Sequence, residues 1–516
     1  MKRFALALVV LAVSLHWHAY AKLVTVAGRE WTYGEGVSVS GTVATVRVVA
    51  GDGHKSASMT TTIAISSYRE SGAEWQIRLR GRGVRKPAKP YWGVKSMLTY
   101  EDATGVRRYP GPVGRTGSFD WMVSRYRTEF TTGQKDGRAT LVLGLQETVG
   151  EVEYDLASFR IAPSTKPSVP TEPNRCSFSP RLVGMAQQRG VMSPSRPMTR
   201  DDFLKFRAWG VTLVRYQMNR FWNQPDANRD LVDYDRWLDG KLDHLASVVL
   251  PLAEEFGVKI AIDLHMPPGG RASDGEMNMF YEPEYAEHFV DCWRKIARRF
   301  SGHPSLYGYD IVNEPCQTYN PANGLGCIEL QEKAARVVRE IDPATPIIVE
   351  ANLNDSPNAF SAMPVLEMTD VIYEVHLYLP MEFTHQGVGW RKPWKPTKWP
   401  DTAKGWNTDF LRGKLAPVRK FQLQHGARIY VGEFSAVAWA EGADRYLADC
   451  ISIFNEYGWD WTYHAYAEFE GWSVEHAAEK PYRFHAVDDT PRKDALLKGL
   501  RGDVRKSSVL QQSVAE

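Results

Sequence analysis

From residue 182 to residue 466, short apolar runs alternate with longer stretches of helical periodicity, and this alternation constrains the fold more than any other feature. The runs fall at Leu182–Met185, Val211–Met218, Lys259–His265, Leu306–Val312, Pro346–Glu350, Val371–Tyr378, Arg428–Phe434 and Trp459–Tyr466. Near-continuous apolar strands spaced by helices need a parallel sheet covered by those helices. Eight repeats of the unit predict an eight-fold β/α barrel. Between the runs, Leu242, Leu245, Val249, Leu252 and Phe256 share one helical face before Gly257, and Phe289, Trp293, Ile296 and Phe300 repeat the pattern, as do Leu447, Ile451 and Phe454.

The preceding segment, 22–162, reads differently. Short β-rich runs such as Gly41–Ala50 and Ala139–Leu145 are broken by glycine and charged turns, with no helix between them, which predicts an all-β sandwich. Its last run, Val152–Ile161, resembles the closing strand of jelly-roll carbohydrate-binding modules. Residues 163–175 are rich in proline and read as a stiff linker, which places the barrel domain at 176–502 and leaves 503–516 as a polar tail. At the other end, Lys2 and Arg3, an apolar run from Phe4 to Leu15 and the small residues flanking Tyr20 read as an export signal, 1–21, cleaved near Ala21. A secreted or periplasmic protein is expected.

Composition removes several classes. Lys plus Arg number 63 against 61 for Asp plus Glu, a net charge of +2, so there is no basic excess for binding nucleic acid. The one conspicuous basic run, Arg78 to Lys89, reads as a solvated β-face or loop. No run after the leader reaches the roughly 20 apolar residues of a membrane span. Five cysteines in an exported chain permit disulfides, and Cys316 with Cys327, close together on one loop, is the pair expected to be bonded. No His-Glu-x-x-His or Cys-x-x-Cys pattern offers a metal site, no phosphate-cradling glycine loop precedes a Lys-Ser/Thr, and no Gly-x-Ser-x-Gly elbow supplies a serine nucleophile. No cofactor or metal is expected. The sequence does not set the oligomeric state.

In a barrel of this kind, catalytic groups stand at the C-terminal ends of the strands. Strand two carries Arg215, strand three ends Asp263-Leu-His265, strand four ends Asn313-Glu314-Pro315, strand six ends His376-Leu-Tyr378 and strand seven ends Gly432-Glu433-Phe434. Unpaired charge at an interior strand end costs several kcal/mol (roughly 2–7 even for a neutral polar group), so five coincidences are a poor explanation. Alone, Glu314 could be a helix-start carboxylate and Glu433 a salt-bridge partner. Together, on strands four and seven, they face each other across the mouth, an arrangement that fits two-carboxylate glycoside hydrolysis.

These same segments carry a family resemblance. Tyr309-Asp-Ile-Val-Asn-Glu-Pro315, His376-Leu-Tyr378 and Tyr430-Val-Gly-Glu-Phe434, with Arg215 and His265 in matching places, resemble the signature strands of glycoside hydrolase family 5, over about 179–500. The resemblance implies Glu314 as acid/base and Glu433 as nucleophile. It further implies that Asn313 binds the sugar 2-hydroxyl, Tyr378 positions the nucleophile, Arg215 keeps it ionised, His265 contacts sugar and His376 sits beside the acid/base. One departure stands out: the family ends strand eight on a tryptophan that floors the sugar, whereas the matching position here is His464. Trp472 is the candidate replacement.

Loop aromatics are further candidates for sugar contacts: Trp222 after strand two, and Trp390, Trp394, Trp399 and Trp406 after strand six. The expectation is a retaining glycoside hydrolase acting on β-1,4-linked polysaccharide or oligosaccharide, an endo-β-1,4-glucanase first, with mannan, xylan, xyloglucan or mixed-linkage glucan as alternatives. The competing class is a carbohydrate-binding protein without turnover. Endo or exo action is left open.

Overall fold

The computed structural model describes residues 22–502 except 52–54, 70–71, 90, 113, 131, 165–181, 183, 223, 225–226 and 319–324. The expected leader, most of the proline-rich stretch, Cys176 and the polar tail lie outside the described residues. Two compact units are present. Among the described residues, no helix is long and apolar enough to cross a membrane.

The first unit is a β-sandwich of a six-stranded and a five-stranded sheet, with every paired strand antiparallel. Alternation drives it: in Ala73–Val84 the side chains of Trp75, Ile77 and Leu79 are buried while Arg78 and Arg82 face solvent. Trp31, Val46, Met59, Leu98, Leu141 and Tyr154 join the same interior. Arg78 and Arg82 of the basic run are thus on the outer face of a strand, and Arg85 to Lys89 follow it. Arg80 there is paired with Glu153, and its guanidinium lies 4.9 Å from the centre of the Trp121 ring.

The second unit is a closed barrel of eight parallel strands: Arg189–Met192, Leu213–Gln217, Lys259–Asp263, Leu306–Asp310, Ile347–Glu350, Val371–Leu377, Arg428–Phe434 and Asp460–Tyr463. The last strand pairs with the first, Arg189 opposite Trp461, which closes the sheet. Seven of the eight expected strands are found where the apolar runs lie. The first is displaced: the strand is Arg189–Met192, and the Leu182–Met185 run closes the barrel floor instead. There Leu182 packs among Leu213, Ala261, Tyr307, Ile348, Ile372 and Tyr430. Arg428 accounts for the displacement, because it donates to the carbonyls of Leu182, Met185 and Ala186 and so takes the acceptors that a ladder would need. Gly190 allows the real strand to close, since a Cβ there would lie 1.6 Å from the Leu213 carbonyl oxygen.

The helices bury the predicted faces. Pro283–Phe300 buries Phe289, Trp293, Ile296 and Phe300, and Ala443–Tyr457 buries Leu447, Ile451 and Phe454. The stripe starting at Leu242 is interrupted. Leu231–His244 passes through a π-helical turn, Leu245–Val249, into Leu250–Phe256, so Leu250 and Ala253 are buried and Leu252 and Phe256 only half-buried. Pro251, which has no amide hydrogen, is the second residue after that turn.

Candidate active site

The C-terminal ends of the strands converge on Arg215, which is wholly buried. Its Nη1 donates to Glu433 Oε1 at 2.8 Å and to Asn313 Oδ1 at 3.0 Å; its Nε donates to Asp310 at 2.7 Å and its Nη2 to Glu350 at 2.7 Å. Period-2 alternation aims these groups inward from neighbouring strands. The Tyr378 hydroxyl donates to Glu433 Oε2 at 2.7 Å and, with its proton so committed, accepts from His464 Nδ1 at 2.8 Å. Both oxygens of Glu433 therefore accept hydrogen bonds. Burial alone would raise this carboxyl, but the surrounding His376, His464, Arg215 and His265 hold it well below the ordinary carboxylate range.

Glu314 approaches from the far side of the mouth. His376 Nδ1 lies 3.0 Å from Glu314 Oε1 and 3.8 Å from Glu433 Oε2. One oxygen of each glutamate and a ring nitrogen of His376 all lie within 4.8 Å of one another. Glu314 occupies the left-handed region at φ 47°, a strained position for a residue with a Cβ. The turn is held from two sides. Its amide donates to Glu350 Oε2 at 2.6 Å, and Arg271 Nη2 donates to the carbonyls of Asn313 and Glu314 at 2.9 and 2.8 Å.

The remaining expected residues separate into two groups. His265 is buried and held by Asp263 at 2.7 Å, and its ring lies 5.2 Å from that of Trp222, which is 37% exposed beside the mouth. Asn313 is buried, and its Nδ2 has no hydrogen-bond partner among the described residues. Trp472 does not present a free face: it is 6% exposed, with its ring packed against Tyr378, His385 and His464. It backs the site from behind. His464 holds the strand-eight position, paired with Glu468 at 3.3 Å; burial would lower it, but Glu468 and Glu433 push it up to about 9. Of the loop tryptophans, Trp399 is core, donating to Asp449 and packed on Phe383 and Tyr446, while Trp394 donates to Gln386.

Cys316 and Cys327 are both free thiols, which corrects the expected disulfide. Cys327 opens the helix Cys327–Ile341, where its amide is taken by Gln317 Oε1 and its sulfur accepts from Gln331 Nε2 at 3.5 Å.

Sequence reasoning missed Glu350, Glu374, Asp310, Arg271 and His385. Two of them left a signal. Glu350 ends a predicted strand as Asn313-Glu314 does, and Glu374 is two residues before His376, hence on the same interior face. Glu350, Asp355, Glu374 and His376 come within metal-ligand range of one another. They belong to the network in which Arg215 already supplies a cation.

A closed β/α barrel with two carboxylates facing each other beside a buried arginine at its C-terminal mouth is the framework of a barrel glycoside hydrolase. The family model described as cellulase (glycosyl hydrolase family 5) matches residues 176–470, and the chain belongs to that family. It is 24% identical over 245 residues to endoglucanase C of Acetivibrio thermocellus, covering 42% of this chain and 70% of the relative. It is 26% identical over 271 residues to cellodextrinase A of Ruminococcus flavefaciens, covering 50% of this chain and 75% of the relative. A solved glycoside hydrolase structure shares the fold at TM-score 0.50 and 23% identity, covering 61% of this chain and 99% of that one. The protein is a glycoside hydrolase.

Proposed function

We propose that the protein is an exported, retaining endo-β-1,4-glucanase working by two-step displacement. The observation that carries this reading is the contrast between the two glutamates. Glu433 accepts from Arg215 and Tyr378 on its two oxygens and is held ionised, as a nucleophile must be. Glu314 faces it with an oxygen within 4.8 Å and shares a hydrogen bond with His376. That oxygen approach supports retention, which needs carboxyl groups about 5–5.5 Å apart; inversion needs about 6.5–9.5 Å, room for a water.

In the first step Glu433 attacks the anomeric carbon as Glu314 protonates the leaving oxygen. In the second, Glu314 takes a proton from the water that releases the glycosyl-enzyme. The unpartnered Nδ2 of Asn313 is available to the sugar 2-hydroxyl, a contact that strengthens as charge develops. Trp222 and His265 form a sugar-binding edge. The relatives' names, endoglucanase and cellodextrinase, support a β-1,4-glucan. The sandwich unit is proposed to bind the polysaccharide, and the leader-like N-terminus supports export.

The test is reducing-sugar release by the mature chain and by Glu433→Ala on carboxymethylcellulose, mixed-linkage glucan, mannan, xylan and xyloglucan. Release from carboxymethylcellulose that vanishes in the variant is expected, with the β-anomer appearing first by proton NMR. Activity confined to another glycan overturns the substrate, and release of the α-anomer overturns retention.

A further inference from the structure

The proposed acid/base has a route for its proton other than solvent. His376 bridges Glu314, 3.0 Å from its Nδ1, and Glu374, whose Oε1 lies 3.2 Å from its Nε2. Glu374 is wholly buried beneath the site. Its seat is built for it: a Cβ on Gly432 would lie 1.5 Å from Glu374 Oε1 and 3.1 Å from His376 Nε2. Any other residue before the nucleophile Glu433 would expel Glu374 from the ring.

The surroundings supply more carboxyls than cations. Arg215 lies 3.5 Å from Asp263, 2.7 Å from Asp310 and from Glu350, 3.3 Å from Glu374 and 2.8 Å from Glu433. Asp355 adds another carboxyl, 4.0 Å from His376 Nε2. The pair His376 and Glu374 is thus faced by Arg215 from strand two, Asp263 from strand three, Asp310 and Glu314 from strand four, Glu350 and Asp355 from strand five, and Tyr430 and Glu433 from strand seven. Arg215, with Arg271 and the charged His464 at the edge of the cluster, cannot compensate so many buried carboxyls, so the cluster must keep protons near neutral pH, and they belong to it jointly. Burial, with Asp263 beside it, pushes Asp310 up to about 6; burial and mutual repulsion push Glu350 and Glu374 well above the ordinary carboxyl range.

We propose that Glu314, His376 and Glu374 form a proton relay, with Glu374 the positioning residue that sets the charge state of the acid/base through the histidine. This rests on Glu314 being the acid/base. In the step, the His376 Nδ1 proton passes to the Glu314 carboxylate while the Glu374 proton passes to Nε2. Two bonds to hydrogen break and two form, the imidazole stays neutral with its tautomer exchanged, and the negative charge moves from Glu314 to Glu374. Acidic Glu314 thereby finds an acceptor at Nδ1 and ionised Glu314 finds a donor there, which suits the two halves of the reaction in turn.

Glu374→Gln accepts a hydrogen bond but no proton. Histidine nitrogen NMR on the full chain, without substrate, reads the ring directly. The wild type is expected to populate both the Nδ1–H and the Nε2–H tautomers, and the variant only one of them. The alkaline limb of the hydrolysis profile is expected to move down by about half a pH unit or more, because the pair has lost one proton site and the charge that held the shared proton, with kcat lowered on the alkaline side, where Glu314 must act as acid, and KM little changed. A purely structural Glu374 would lower thermal stability and leave the profile in place. A single His376 tautomer at every pH in the wild type, or superimposable profiles, overturns the relay. If Glu374→Gln does not fold, the wild-type tautomer decides alone; if the wild type hydrolyses no glycan, the functional reading fails while the NMR result still decides the relay.

Discussion

The main-chain amide of Glu314 donates to the side chain of Glu350 at 2.6 Å, so a carboxylate on strand five fixes the strained backbone that carries the proposed acid/base on strand four. The other oxygen of Glu350 accepts from Arg215, which also grips the proposed nucleophile. One buried side chain therefore registers the two proposed catalytic carboxylates against each other.

Glu350→Gln turns one of those two acceptors into a donor that faces either the Glu314 amide or the guanidinium. The expected result is a fall in kcat of about 10- to 100-fold, the size associated with a displacement of about 1 Å in a catalytic group, with a smaller change in KM and a lower melting temperature. Steady-state kinetics and thermal unfolding of the same preparation check it. An unchanged kcat would show that Glu314 keeps its geometry without this bond.

Glu314→Gln should discriminate between leaving groups. General acid catalysis contributes roughly 10²–10⁴-fold, so cellulosic substrates should lose about that factor, whereas aryl glycosides with acidic phenols, which depart without protonation, should lose far less in the first step. Glu433→Gln should abolish both. Equal losses on the two substrate types in Glu314→Gln would contradict its role as the acid.

The imidazole of His464 carries a pH signature. Burial opposes its charge, but Glu468 and Glu433 raise it from 6.5 to about 9. The folded state thus binds this proton more tightly than the unfolded chain, and the resulting stability is fully present below about 6.5 and lost as pH rises through about 9. Melting temperature should decline across that window in the wild type and decline less in His464→Gln. A variant whose decline matches the wild type would assign the slope elsewhere.

Cys292, Cys316, Cys327 and Cys450 are free, so a reductant should leave the melting temperature unchanged. All four should react with a thiol reagent in denaturant without prior reduction. A mass lower by two hydrogens in a peptide pair joining Cys316 to Cys327 would refute this.

Much of this architecture can be read along the chain, because helix and strand periods are local properties. The alternation in Val371–Leu377 puts Ile372, Glu374 and His376 on one face whatever the tertiary structure, and the polar ends of strands two, three, four, six and seven mark the mouth. The first barrel strand was not legible: Arg189–Met192 is short and mixed, and the more apolar Leu182 run became a floor only because Arg428, far along the chain, takes its carbonyls. Trp472 is a candidate sugar floor from its place after strand eight, and only packing puts His385 and Tyr378 against it.

By itself, the sequence determined seven of the eight barrel strands, the order of the elements, the sandwich before the barrel and the two glutamates that end strands four and seven. Only the tertiary structure decided that Glu350 faces Glu314 and Arg215 together, that Glu374 reaches the far nitrogen of His376 over Gly432, and that Cys316 and Cys327 stay apart. Periodicity fixes the face of a strand on which a side chain lies. The layer that residues from different strands share is fixed by the register of the ladders and the closure of the barrel, as where Glu350 pairs opposite Glu374 and His376 opposite Glu433.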